Sequence, residues 1–184
     1  MEIEATASAT AAVLEHSAAM AAAAQVPSPA ISLMIHFLGT VGGLFALGLA
    51  AIGSGLGIAV AGQAAAGGWA REGKENKTLS FPYIILMGLP LSQTIYGFVL
   101  LMLMQRFFVA DMTLTQASML AALGIACGLA QLFSAWGQGR ICAAGIRCLL
   151  ESGGKGFANI LIAAGVIETV GIFGMVFCIL LLPK

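Results

Sequence analysis

Residues 163–174 read AAGVIETVGIFG, and Glu168 stands midway along an apolar segment from Phe157 to Leu182. A charged carboxylate alone at such a depth in hydrocarbon costs at least a few kcal/mol, so it must be protonated, matched by a cation, or alternate between the two. A second polar group lies in MGLPLSQTIYGF (87–98). Leu89, Ser92, Gln93 and Tyr96 fall there at i, i+3, i+4 and i+7, on one face of a helix. Pro90 has no N–H, so the Leu86 carbonyl loses its usual partner and the helix is expected to loosen. Loosened backbone in a membrane is tolerated where it is buried in protein or lines a cavity. Gln138, in WGQGRICAAGIRCL (136–149), supplies a further amide.

Five oxygens can converge from these residues: the Leu89 carbonyl, the Ser92 hydroxyl, the Gln93 and Gln138 amides and the Glu168 carboxylate. One negative charge among five oxygens suits a hard monovalent cation. Calcium would ask for more carboxylates, and a transition metal for His or Cys. A proton needs Glu168 alone and gives no reason for Ser92 or Gln138. Arg140 is expected nearer a membrane face than Glu168, so no permanent internal salt bridge is expected. Ala164, Gly165 and Gly171 share or border the face of Glu168 and let another helix approach. Ser92 and Gln138 could equally serve to hold helices together, and Tyr96 could be a core aromatic.

These residues need long apolar elements to carry them. The chain has 184 residues, 60% of them hydrophobic and 9% charged, where a soluble domain is about 25% charged. A spanning helix takes about 20 apolar residues. Four segments qualify: 33–66, 79–108, 114–150 and 157–182. The expected fold class is an all-α membrane protein of four transmembrane helices arranged as two tandem hairpins. Its expected parts are an Ala-rich tail (1–30), a first hairpin (31–108) and a second hairpin carrying Glu168 (109–184). The first and third spans exceed the hydrocarbon thickness and should tilt or protrude. The Lys/Arg bias of REGKENK (71–77) and of Arg140, Arg147 and Lys155 places both hairpin turns in the cytoplasm and both termini outside. The tail lacks the basic start of a signal peptide and reads as a short peripheral helix or a disordered segment.

Cys127, Cys142, Cys148 and Cys178 match no metal or redox spacing and read as packing residues. His36, Trp69 and Trp136 read as interfacial or packing residues. The net charge of zero points to no nucleic-acid partner. There is no Ser/His/Asp set and no phosphate loop, so the chain is not expected to be an enzyme or to hydrolyse ATP itself. Gly53 and Gly57 form GxxxG in AAIGSGLGIAVAG, which permits close helix approach in lipid. No strand precedes this run, which argues against a dinucleotide loop.

The chain repeats itself at an offset of 75: Gly62-Gln63 becomes Gly137-Gln138, and Gln93-Thr94 becomes Glu168-Thr169. This looks like a duplicated helical hairpin.

LPLSQTIYGF, WGQGRICAAGIRCL and VIETVGIFG together resemble the proteolipid rotor subunit of V-type and V/A-type rotary ATPases, over about residues 33–183. The resemblance implies a ring of identical subunits in lipid, turned by a central stalk subunit at the cytoplasmic hairpin turns. It implies a stator membrane subunit supplying an arginine, and a bacterial-type plasma membrane. In sodium-pumping members it implies Na+ held by Leu89, Ser92, Gln93, Gln138 and Glu168, with Tyr96 steadying the carboxylate. Leu91 and Ser92 stand where the family commonly has Gly and Thr. Gln93, the counterpart of Glu168 in the first hairpin, cannot carry a charge, so each subunit would move one ion and favour pumping against steep gradients. Rival readings are the same rotor carrying H+, a small four-helix cation antiporter, and a structural helix-packing protein.

Overall fold

The computed structural model describes residues 13–17 and 28–183. Among the described residues all regular structure is helical. The helices are α1 (Pro29–Lys74), α2 (Pro82–Gly88), α3 (Ser92–Met104), α4 (Leu114–Ser152) and α5 (Phe157–Leu180). A 3-10 turn at Leu89–Leu91 joins α2 to α3 and another at Gln105–Phe107 follows α3, so the region Pro82–Phe107 is one interrupted span. Among the described residues, four helical runs are therefore long and apolar enough to cross a membrane, as the composition required. The expectations for residues 1–12, 18–27 and Lys184 lie outside the described residues; residues 13–17 are helical.

The contacts divide the chain into Met1–Ile35 and His36–Lys184. Within the first unit, the described residues are the helical turn at 13–17 and the start of α1. The candidate site lies wholly in the second.

Helix ends depart from expectation where charge follows an apolar run. The first span does not stop near Ala66 but continues as helix through Lys74, so half of the expected 71–77 loop is helical. Hydropathy marks where a helix leaves lipid, not where its hydrogen bonds stop. At 46 and 39 residues, α1 and α4 are about 69 and 58 Å long, against about 30 Å of hydrocarbon. Asn76, at φ 52°, turns the chain after α1; Asn is among the few side chains that visit this left-handed region readily. Glu75 pairs with Lys77 at 2.7 Å and Arg71 at 3.1 Å, and these bonds hold its carboxyl below the usual range.

Glu72 is not a solvated loop charge. It is 6% exposed and accepts from the Ser80 N–H (2.9 Å), the Ser80 hydroxyl and the Tyr83 hydroxyl (2.9 Å). Trp69 Nε1 donates to the Ser80 carbonyl at 3.0 Å. The first hairpin turn is thus clamped shut by a buried carboxylate and an indole, and Trp69 is tied to that turn.

α4 forms the spine of the second unit. A Thr113/Gln116 capping box starts it and Gly153, at φ 68°, ends it. It packs on α5, α2 and α3. Against α1 the approach is so close that a methyl group on Gly139 would strike the Gly57 backbone, and one on Gly57 the Ala135 carbonyl. Gly53 abuts the Leu132 backbone, so both glycines of the GxxxG pair face α4. Cys127, Cys142 and Cys178 are buried, Cys148 is exposed, and all four are free.

Candidate functional site

The elbow between α2 and α3 is built by Pro90, which is fully buried. Its missing N–H breaks the α-helical ladder, and the backbone responds by tightening into a 3-10 turn rather than by loosening. The Ser92 N–H bonds the Leu89 carbonyl in that turn. The tight turn brings the Leu89 carbonyl, the Ser92 hydroxyl and the Gln93 side chain to one place. Leu91 turns away and is 53% exposed, so its bulk does not crowd them.

Ser92 is the centre of the cluster. Its Oγ lies 2.6 Å from Glu168 Oε1, 3.1 Å from the Leu89 carbonyl oxygen and 3.1 Å from Gln93 Oε1. The Tyr96 hydroxyl donates to Glu168 Oε1 at 2.9 Å. Gln138 Nε2 donates to Glu168 Oε2 at 3.1 Å and to the Ala164 carbonyl at 3.1 Å. Its Oε1 accepts from Gln93 Nε2 at 3.1 Å. The six residues singled out in the sequence thus meet around one carboxylate, drawn from the elbow, α3, α4 and α5. Gln138 turns its nitrogen, not its oxygen, toward Glu168.

A serine hydroxyl has one proton to give. Three acceptor oxygens stand within 3.1 Å of Ser92 Oγ, so two of those contacts have no hydrogen between the oxygens when the carboxylate is ionised. Crowded oxygens short of protons repel one another, and a positive guest relieves that repulsion. No cluster of three His, Cys, Asp or Glu side chains occurs among the described residues, so the donor set is one of hard, mostly neutral oxygens.

Two further polar residues belong to the same region and were not expected from the sequence. Gln131 and Ser134 precede Gln138 by seven and four residues, which puts all three on one face of α4. Gln131 and Gln138 are wholly buried and Ser134 is 1% exposed. Ser134 Oγ accepts from Gln93 Nε2 at 3.2 Å and donates to the Ile167 carbonyl at 3.0 Å. Gln131 Nε2 donates to the Gly171 carbonyl at 2.8 Å. The helical spacing to Gln138 is the signal that marks them, although no charged residue adjoins either one.

Arg140 makes no ion pair with Glu168 among the described residues. It follows Gln138 by two residues, about 3 Å along the α4 axis. Its guanidinium lies 5.4 Å from the Trp136 ring centre, and the ion pairs among the described residues are Arg71–Glu75 and Lys77–Glu75. Of the small residues beside Glu168, Ala164 is buried and Gly171 faces α4, whereas Gly165 has open space where a side chain would be.

Comparison with known proteins bears on both hairpins. The family model of the ATP synthase C-subunit matches the chain twice, over residues 41–104 and 121–181, so each match covers one hairpin, in keeping with the internal repeat. The chain is also 36% identical over 145 residues to the K-subunit of the A-type ATP synthase of Methanocaldococcus jannaschii, a match covering 79% of this chain and 61% of that protein. The chain thus spans about three fifths of the length of this curated relative. With both hairpins matched, this chain belongs to the ATP synthase C-subunit family.

Proposed function

We propose that the chain is the rotor-ring subunit of a V-type or A/V-type rotary ATPase and that Glu168 carries Na+ across the membrane. The observation that carries this reading is the Ser92 cluster, in which three acceptor oxygens share one hydroxyl proton. Family membership supports a rotor over a small antiporter or a purely structural protein. The cation is cargo, held by the Leu89 carbonyl, Ser92 Oγ, Gln93 Oε1 and the Glu168 carboxylate. Gln138 joins as a fifth ligand by turning its amide oxygen inward, and Tyr96 steadies the carboxylate from one turn further along α3.

The chain itself does no chemistry on ATP; hydrolysis belongs to other subunits. Identical copies form a ring in the lipid, with the hairpin turns in the cytoplasm against a central stalk and the termini outside. The occupied site crosses the lipid nearly neutral, which removes most of the cost of a bare carboxylate there. At a stator subunit an arginine displaces the ion, and the empty carboxylate reloads from the opposite aqueous path. Because Gln93 replaces a carboxylate in the first hairpin, each chain moves one ion.

The rival cargo is H+. It is favoured by the Gln138 amide, whose nitrogen faces Glu168 Oε2 while its oxygen is engaged by Gln93. Carbodiimide labelling of Glu168 separates the two. Sodium that suppresses labelling at a fixed pH supports the sodium reading; labelling that depends on pH and ignores sodium replaces it with the proton reading.

A further inference from the structure

Gln131 sits in an expensive place for an amide. It is fully buried, its Oε1 has no hydrogen-bond partner among the described residues, and a methyl group added to Gly171 would lie 2.7 Å from that oxygen. A buried amide with one end unsatisfied is worse for stability than an apolar side chain of the same shape. What Gln131 gains is the 2.8 Å bond from Nε2 to the Gly171 carbonyl.

That bond is one of three in which an α4 side chain donates to a backbone carbonyl of α5. Gln138 donates to the Ala164 carbonyl, Ser134 to the Ile167 carbonyl and Gln131 to the Gly171 carbonyl. The three acceptors lie four residues before Glu168, one before it and three after it. The carboxylate is therefore bracketed on its own helix by fixed points. Gln138 and Ser134 also touch the polar cluster, but Gln131 does not; it lies seven residues from Gln138, about 10.5 Å along the axis. Its effect on the cluster must pass through the placement of α5.

We infer that Gln131 is a positioning residue: by pinning the Gly171 carbonyl it fixes the axial register of α5 and so sets how tightly the Glu168 site holds its cation. The contacts Glu168 makes with Ser92 and Tyr96 cross from α5 to α3 at 2.6 and 2.9 Å, distances that a small slide or roll of α5 would open. Gly171 borders the device: a methyl group there would lie 2.7 Å from Gln131 Oε1 and 3.0 Å from Ser134 Oγ, so the absence of a side chain leaves room for both. This inference rests on reading Glu168 as the ion site.

The test uses membranes carrying the full chain, labelled with a carbodiimide over a series of sodium chloride concentrations and pH values, with the label on Glu168 quantified by mass. Gln131→Met keeps the side-chain length and removes the N–H donor. The sodium concentration giving half protection should rise about tenfold, the factor expected for losing one well-made buried hydrogen bond. The pH of half-maximal labelling should move as well. Gln131→Leu, which also lacks the N–H donor, should shift both readings in the same directions, and it carries the test if Gln131→Met fails to insert. Unchanged readings in the inserted variants, even with lowered thermal stability, would show a packing role alone and overturn the inference. If the wild-type chain shows no sodium protection at any pH, the sodium reading fails. The positioning role is then judged on the pH of half-labelling alone.

Discussion

Around Glu168 the neighbouring groups divide into those that share oxygen and those that give protons. Ser92 does both, which makes it the most sensitive neighbour. Ser92→Ala removes the oxygen common to three others and should raise the sodium needed for half protection about tenfold, read by carbodiimide labelling. Tyr96→Phe removes one proton donor but no oxygen facing Leu89 or Gln93, so its effect on the same reading should be severalfold smaller. Glu168→Gln should abolish both labelling and ion transport. These residues were legible because a carboxylate, two amides and a hydroxyl in apolar helices are costly and need a reason. Glu72 was illegible for the opposite cause: it sits in a charged run, where a carboxylate looks solvated, and its burial depends on the fold of the turn.

At the scale of elements, two devices hold the site in shape. One is the 3-10 elbow, whose existence Pro90 announced but whose direction it did not. The missing bond could have opened the backbone, and packing tightened it instead. The other is the close pairing of α1 and α4, which the GxxxG spacing foretold from one side; the partner surface at Leu132, Ala135 and Gly139 required the structure. Gly139→Val should force these helices apart and abolish stable insertion, measured as loss of full-length protein in detergent extracts. The turn between α1 and α2 is a separate case. Glu72→Ala leaves the Ser80 N–H and the Tyr83 hydroxyl without their acceptor, a cost of about 1–3 kcal/mol. Amide exchange at residues 77–83 should speed up, while labelling of Glu168 should keep its sodium dependence.

The whole molecule is a multi-pass integral membrane protein of the ATP synthase C-subunit family, made of two hairpins of which the second carries the carboxylate of the polar cluster. The duplication was readable from paired residues at a fixed offset. Span number was readable from hydropathy, and so was the excess length of the first and third spans; what hydropathy missed is that α1 continues as helix past Ala66 to Lys74. Gln93 and Glu168 are counterparts in sequence, and in space both face the same Ser92 hydroxyl, so the two hairpins contribute side chains to one cluster rather than to two. On the proposed function, that arrangement fixes the ion count per chain at one. The most direct measurement is binding of radioactive sodium to the purified assembly at a pH where carboxylates ionise. The account predicts one saturable ion per chain, lost in Glu168→Gln. Absence of saturable binding, or binding that survives that substitution, would contradict it.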